Sequence, residues 1–368
     1  MRILHIGYNH RYNDIRIFQK ECCSLTKIVN YEVTYLTSNK NCAEVYKGKE
    51  KDVNIIVLEV DDGRREQRLV NYLKKVKGII DELKPDIIHI HEFQLLPLMS
   101  YLKKEARVIY DSHEDIPRQL FGDTRNSIKG KILEFFVEKY ENYQVKKADF
   151  VITATPHIEE RFNRIVKNVL TVANYPIMES WNTVNSKKNE KIICYAGGIS
   201  EQNGIKNVVD AIEKVDGTLM LAGNVPATLK SDLLEREGWK KVKELGYITS
   251  QEVKELYKKS SCGMVTYLPV PNSIEALPNK LFEYMAAGVP VIASDFPLWK
   301  EIVEGAQCGI CVNPESVEEI TEAINFILNN SNEMLQMAEN GKKAVREIYN
   351  WESQEIKLYE VYKCLIEN

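Results

Sequence analysis

The chain alternates short apolar runs with longer amphipathic stretches from end to end. Runs of about four to seven residues rich in Ile and Val, bounded by turn residues, read as buried strands. The stretches between them, apolar every third or fourth position, read as helices. In the first half this pattern predicts strands over Arg2 to Ile6, Glu32 to Leu36, Asn54 to Glu59, Ile87 to His91, Arg107 to Tyr110, Phe150 to Thr153 and Val169 to Ala173. The helices between them include one carrying Asp14, Arg16, Lys20 and Glu21, a basic one over Arg64 to Leu83, and one over Ser127 to Tyr143. A polar, aperiodic segment from Asn174 to Lys188 reads as a linker. Beyond it the pattern resumes, with strands over Lys191 to Ala196, Thr218 to Ala222, Val242 to Leu245, Gly263 to Leu268, Val289 to Ala293 and Gly309 to Val312. Helices are expected over Lys206 to Lys214, Gln251 to Lys259, from Pro278 or Asn279 to a stop at Gly288, and in two last pieces bent at Tyr349 to Trp351. Alternation of this kind argues for parallel sheets covered by helices, and 368 residues exceed the usual single core, so two such domains are expected.

Composition narrows the class. Hydrophobic residues at 44% and charged residues at 28% are those of an ordinary globular protein, and no apolar run approaches a membrane span. The start, MRILHIGYNH, carries a strand and no small-residue cleavage site, so no secretory signal is expected. Eight cysteines lie scattered, and the lone pair Cys308 and Cys311 sits in an apolar run and reads as core. Free thiols point to the cytoplasm. The net charge of −4 divides into +3 over residues 1–180 and −7 over residues 181–368, and all six histidines lie at or before His157. Two domains with different tasks fit that division, and nucleic acid is not an expected partner.

Candidate chemistry gathers where strands end, because ligands of doubly wound sheets sit beyond the carboxyl ends of the strands. Three such ends in the first half carry polar groups: Asn9 and His10, His91 and Glu92, His113 and Glu114. No G-x-G-x-x-G follows the first strand, which argues against a nicotinamide-dependent enzyme. The helix over Ser127 to Tyr143 has an apolar stripe and a basic start in Lys129 and Lys131. With Arg118 and Arg125 it fits an anionic membrane surface. The interleaved Glu134, Glu138 and Glu141 fit an ordinary core-facing helix equally.

The most specific stretch is TYLPVPNSIEALPNKLFEYMAAGVPVIASD. A strand, a Pro-punctuated loop, a helix start, a Gly stop and a second strand follow one another, with Glu275 in the loop and Glu283 one turn into the helix. A helix N-terminus at a strand's carboxyl end offers free N–H groups and a positive dipole end, which suits a diphosphate. This segment resembles the E-x7-E donor-binding motif of the retaining glycosyltransferases of family 4. VIYDSHED resembles that family's strand-end histidine, and HIHEFQLLPL and NDIRIFQKE resemble first-domain signatures of one subgroup.

The resemblance spans essentially the whole chain. It implies a GT-B fold, two Rossmann-like domains facing each other across a cleft that closes on donor binding, over residues 1–176 and 189–350. The C-terminal helix, about 352–368, crosses back to the N-terminal domain. It implies transfer of a hexosyl or N-acetylhexosaminyl group from a nucleotide diphosphate sugar to an acceptor hydroxyl with retention, in cell-surface polysaccharide or glycolipid synthesis. The acceptor would be lipid-linked or an oligosaccharide, and the setting the cytoplasm or the inner membrane face. Carried onto this sequence, Glu283 would hold the ribose and Glu275 the donor sugar. His113 would face donor sugar and acceptor, and Tyr247 and Ile248 would lie near the base, with Leu277, Pro278, Asn279 and Gly198 at the donor. The leaving phosphate itself would take the acceptor proton, so no carboxylate nucleophile is expected. With neither an Asp-x-Asp motif nor a histidine cluster in the sequence, no metal or other cofactor is expected.

One departure matters. The family commonly carries an Arg and a Lys after the first strand of its second domain, and in YAGGISEQNGI those places hold Gly198 and Asn203. A leaving diphosphate gains charge, so the missing cations must be replaced if the chain is a catalyst. Lys280, in the first helical turn between the two glutamates, is the preferred replacement, and Arg11 is the other. A nucleotide-sugar epimerase of the same fold and a non-catalytic donor-binding subunit are the competing readings.

Overall fold

The computed structural model describes residues 1–41, 45–60, 63–120, 127–181 and 191–367. Arg125 and the linker from residue 182 to Lys188 lie outside the described residues. The chain divides into two compact units, Met1–Asn174 with Ser353–Asn368, and Tyr175–Glu352.

The first unit is built on an eight-stranded sheet. Its strands are β1 (Arg2–Ile6), β2 (Glu32–Ser38), β3 (Tyr46–Glu50), β4 (Val53–Leu58), β5 (Ile87–Ile90), β6 (Arg107–Ser112), β7 (Phe150–Thr153) and β8 (Val169–Thr171). They lie in the order β3-β4-β2-β1-β5-β6-β7-β8, all parallel except β3, which runs antiparallel to β4. Strand β3 was not expected. Its sequence YKGKE alternates half-buried and exposed positions at the sheet edge, and Lys on an edge strand discourages further pairing while hiding the apolar signal. Strands β1, β2, β5, β6 and β7 are buried on both faces, apart from the first residues of β1, β2 and β6, and so read as nearly continuous apolar runs. Leu4, Ile6, Ile88 and Ile90 pack with Tyr72, Val76 and Ile80 of the helix Arg65–Leu83. On the opposite face His5 and His89 meet Tyr362, whose hydroxyl lies 3.1 Å from His5 Nε2 and 3.0 Å from His89 Nδ1. Tyr362 belongs to the last helix, Trp351–Glu367, so this terminal segment closes the core of the first unit.

The second unit holds a six-stranded parallel sheet in the order β11-β10-β9-β12-β13-β14. Its strands are β9 (Ile192–Ala196), β10 (Thr218–Ala222), β11 (Val242–Gly246), β12 (Cys262–Val265), β13 (Val291–Ser294) and β14 (Gly309–Val312). Strand β12 ends three residues before the expected Leu268, and β13 begins at Val291 because Pro290 before it has no N–H to donate. After β14 there are three helices rather than two, Val317–Asn329, Ser331–Glu347 and Trp351–Glu367, with Asn330 separating the first pair. The seven described cysteines are free. Burial pushes both Cys308 and Cys311 up to about 12, as core thiols rather than reactive ones.

Candidate functional site

In each sheet the strand order reverses once. The second sheet runs from β9 outward through β10 to β11, then returns to β12 on the other side of β9. The crevice outside the carboxyl ends of β9 and β12 is therefore its topological switch point, where ligands of such sheets bind. Gly197 and Gly198 follow β9 there, and the segment from Thr266 to Lys280 follows β12.

This edge is shaped to bring backbone close. Gly204 has φ +71, and a Cβ on it would lie 1.9 Å from the Thr266 carbonyl oxygen, so only glycine lets the β9 loop pack onto the β12 loop. Leu268 N–H donates to the Gln202 carbonyl at 2.8 Å, and Trp299 Nε1–H donates to the Ala276 carbonyl at 2.7 Å, pinning the loop on both sides. That loop contains a short helix, Pro271–Ile274, and Glu275 follows it with a partly exposed carboxylate. Among the described residues nothing forms an ion pair with Glu275.

The next helix, Asn279–Ala287, is capped by Pro278 and ends at Gly288 with φ +67. No side chain caps its N-terminus; the Leu281 N–H donates to the Pro278 carbonyl at 3.0 Å, which leaves those of Asn279 and Lys280 as the ones a ligand could take. Lys280 lies in that turn and is buried. Its Nζ has no hydrogen-bond partner among the described residues. It stands 3.6 Å from the centroid of Tyr195 and 5.4 Å from that of Tyr267, and a Cβ on Gly197 would sit 3.4 Å from it. Tyr195 Oη–H donates to the Gly198 carbonyl at 2.6 Å, and Asn203 Nδ2 donates to the same oxygen at 3.1 Å. The ammonium is thus held by two aromatic faces against the glycine loop, with the Glu283 carboxylate near enough to pull on it but no hydrogen bond to it among the described residues. Burial lowers its pKa to about 7 despite the opposing pull of Glu283. Glu283, three residues on, is half-buried and receives the Tyr257 hydroxyl at 3.5 Å. Tyr247, after β11, is 73% exposed, an uncovered aromatic face at the same sheet edge, while Ile248 packs into the core beneath. Gly198 is exposed, and a Cβ there meets nothing within 4 Å. The residues singled out from the sequence in this half, Gly198, Tyr247, Ile248, Glu275, Leu277, Pro278, Asn279, Lys280 and Glu283, all follow carboxyl ends of β9, β11 and β12.

In the first unit the reversal lies between β1 and β5, and the three polar strand ends do converge. The His10 and His113 ring centroids are 5.2 Å apart, and those of His91 and His113 are 5.4 Å apart. Glu92 is occupied structurally, accepting from the backbone N–H groups of Tyr8 and Asn9 at 2.9 and 2.6 Å. His113 is partly exposed, and its Nε2 donates to Asp111 Oδ2 at 2.8 Å, which orients the ring. Asp111 is fully buried and also takes a fork from Arg16, with Nη2 to Oδ1 at 2.8 Å and Nε to Oδ2 at 3.1 Å. Burial opposes ionisation of Asp111, but Arg16 and then His113 outweigh it and hold the carboxyl well below its usual range. His10 also binds a proton more readily than usual: burial disfavours it, but the bond to Asp14 at 3.2 Å and the charge of Glu92 prevail.

Two family models match the chain, Glycosyltransferase Family 4 over residues 27–172 and Glycosyl transferases group 1 over residues 178–344. The chain belongs to the GT-B glycosyltransferases of the family 4 type. An uncharacterised glycosyltransferase of Methanocaldococcus jannaschii is 27% identical over 323 residues, covering 80% of this chain and 79% of its own. The structure is similar to the sucrose-phosphate synthase of Thermosynechococcus elongatus, with TM-score 0.80, 18% identity, and coverage of 100% of this chain and 99% of that one. It is also similar to Anabaena HepE in complex with UDP, with TM-score 0.74, 14% identity, and coverage of 99% and 100%.

What the sequence did not single out for this glycosyltransferase is the buried support beneath His113. Arg16, Lys20 and Glu21 lie on the expected helix and are buried, because Ile15–Cys22 is a π-helix, whose wider turn faces this set inward. Arg16 reaches Asp111 across 95 residues, Glu21 at 3.2 Å, and the Val172 carbonyl at 2.9 Å. His5 Nδ1 and His91 Nε2 share a hydrogen bond at 2.8 Å, continuing the chain to Tyr362. Burial keeps His5 and His89 neutral and lowers His91 to about 4. Two groups here, His5 with Glu21, His89 and His91, and His91 with Asp111 and His113, bring ligand atoms within 4.8 Å of one another, a cluster that the sequence spacing hides. The facing nitrogens of His5 and His91 are already bonded to each other, and the Arg16 guanidinium contacts both carboxylates, so the set reads as a hydrogen-bond relay around a resident cation. Replacing Asp111 by asparagine is expected to cost about 3–5 kcal/mol, because Arg16 would stay buried with only Glu21 beside it. Denaturant unfolding measures it, and a loss under about 1 kcal/mol would mean the relay is not a keystone of this unit.

Proposed function

We propose that the chain moves a hexosyl or N-acetylhexosaminyl group from a nucleotide diphosphate sugar to an acceptor hydroxyl, with retention at the anomeric carbon. The observation that carries this is Lys280, a buried ammonium whose Nζ makes no hydrogen bond among the described residues, beside a helix N-terminus that no side chain caps and an open glycine loop. A desolvated cation in that place is costly unless an anion completes it, and a diphosphate matches the adjoining N–H groups. Lys280 then does what an Arg at Gly198 and a Lys at Asn203 do in relatives of this family. UDP bound to HepE supports a nucleotide ligand at this fold.

In this reading Glu283 takes the ribose hydroxyls, Tyr247 stacks on the base above Ile248, and Glu275 holds the sugar hydroxyls. Asn279, Lys280 and the helix N–H groups meet the phosphates beside Leu277, Pro278 and Gly198. As the donor bond breaks, negative charge grows on the diphosphate, and fixed positive groups lower that barrier most. The departing phosphate oxygen accepts the proton of the attacking hydroxyl. His113 acts on the donor sugar, oriented by Asp111. The acceptor is lipid-linked or an oligosaccharide of a cell-surface polymer, and no metal is required in this scheme.

Incubation with labelled UDP- and GDP-sugars and a polyprenyl-linked saccharide tests the reading. Free nucleoside diphosphate with an extended acceptor supports it. An epimerised donor, or binding without turnover, would replace it by the epimerase or the donor-binding subunit. Restoring a cation supplies a sharper check, because Gly198 has room for a side chain. Gly198→Arg is expected to tighten UDP binding by about 1 kcal/mol, the scale of a hydrogen bond to a charged group, read by calorimetry. Weaker binding would place the diphosphate elsewhere.

A further inference from the structure

The helix Ile128–Val145 in the first unit is built inside out. Its buried positions are Gly130, Glu134, Glu141 and Val145. Glu141 accepts from the Tyr110 hydroxyl at 2.9 Å and from Arg161 Nη1 at 2.7 Å, and Arg118 Nη1 pairs with Glu138 at 2.8 Å. The glutamates that let this helix pass for an ordinary core-facing one therefore themselves face the protein and are satisfied there. The outward side carries the apolar residues instead: Ile128, Ile132, Leu133, Phe135, Phe136 and Tyr143 are each more than half exposed. The exposed charges on this helix and at its C-cap are lysines: Lys129, Lys131 and Lys139 in the helix and Lys146 just after it. Lys139 Nζ lies 5.4 Å from the Phe135 centroid, placing positive charge directly beside the apolar surface.

A helix in a water-soluble fold turns its apolar stripe inward, so the reversal needs an external partner to cover it. We propose that this outward face docks on an anionic lipid bilayer, its aromatic and aliphatic side chains entering the headgroup region while the lysines meet acidic headgroups. The observation that selects lipid over a second copy of the chain is the sign of the charges. A two-fold pairing through this face would set lysine fringe against lysine fringe, whereas a negatively charged surface attracts all four. Phe and Tyr beside Lys also match the residue types that settle at a membrane–water boundary. The inference does not depend on the proposed reaction.

Sedimentation of the full chain with vesicles tests it. Vesicles of phosphatidylcholine with phosphatidylglycerol should retain the protein about tenfold better than phosphatidylcholine alone, and added salt should weaken the binding. The double variant Phe135→Ser, Phe136→Ser should lose binding to both. Lys129→Glu with Lys131→Glu should lose only the preference for the anionic vesicles. Because these side chains are exposed, the unfolding midpoint and UDP affinity of both variants should match wild type, which separates lipid docking from misfolding. Failure of the wild-type chain to bind anionic vesicles overturns the proposal. So does a wild-type dimer that the Phe variant converts to monomer, since a second copy would then own the face.

Discussion

Replacing Glu275 by alanine is expected to abolish sugar transfer, by about 10²–10³-fold or more in kcat, the scale of one oriented group acting at the reacting centre. The structure isolates this carboxylate. It sits partly exposed after Pro271–Ile274, in a loop whose next residue is held by the Trp299 indole, and it is in no ion pair among the described residues. A carboxylate whose removal breaks no internal contact should leave stability within about 0.5 kcal/mol of wild type. UDP affinity should also be retained, because Glu275 is assigned to the sugar rather than the nucleotide. The distinguishing pattern is therefore lost turnover with intact folding and intact UDP binding. Activity like that of wild type would sink the assignment, and lost UDP binding would move Glu275 to the nucleotide.

Lys280→Met carries the second large effect, and it should act on binding and stability in opposite directions. The ammonium is buried against Tyr195 and Tyr267 without a hydrogen-bond partner, and its pKa falls from 10.5 to about 7. Between those two values the unfolded chain binds more protons than the folded one, so wild-type stability should rise as pH increases from about 7 towards 10. Methionine fills a similar volume without a charge, so the variant should be at least as stable as wild type near neutrality and should lose that rise. UDP affinity should drop by about 1–3 kcal/mol, the scale of a charge-assisted bond. The pH dependence gives the binding its signature. A diphosphate beside Lys280 raises the lysine pKa, so binding takes up a proton, and affinity should fall as pH rises above about 7. In Lys280→Met that slope should vanish. Titration calorimetry at several pH values reads both quantities. An unchanged affinity would shift the cation's role to another residue, Arg11 first.

Much of the architecture was readable because it is local. Buried parallel strands announce themselves as apolar runs, and the helix at Asn279–Ala287 announces its ends through Pro278 and Gly288. The stretch between Glu275 and Glu283 carries its chemistry in consecutive residues, so family, fold and donor-side candidates could be read from order alone. Strand β3 could not, because a charged edge strand has no buried face to pattern.

What no linear reading reaches is direction and pairing over long separations. Arg16 and Asp111, 95 residues apart, and Tyr362 and His5, 357 apart, meet only once the sheet is formed, and the π-helical turn at Ile15–Cys22 faces inward residues that look solvated. The helix Ile128–Val145 shows the limit most directly, since the same sequence of glutamates, lysines and aromatics fits either orientation. Arg118 and Arg161, supplied by neighbouring helices, draw its glutamates inward and so leave its apolar side facing out. By itself the sequence determined most of the elements and which stretch offers the donor-site candidates, because periodicity and a contiguous motif are local properties. The tertiary structure decided which charges are buried, that Lys280 Nζ stands against a glycine loop without a hydrogen bond among the described residues, and which way that helix faces, because burial and ion pairing depend on what distant segments bring alongside.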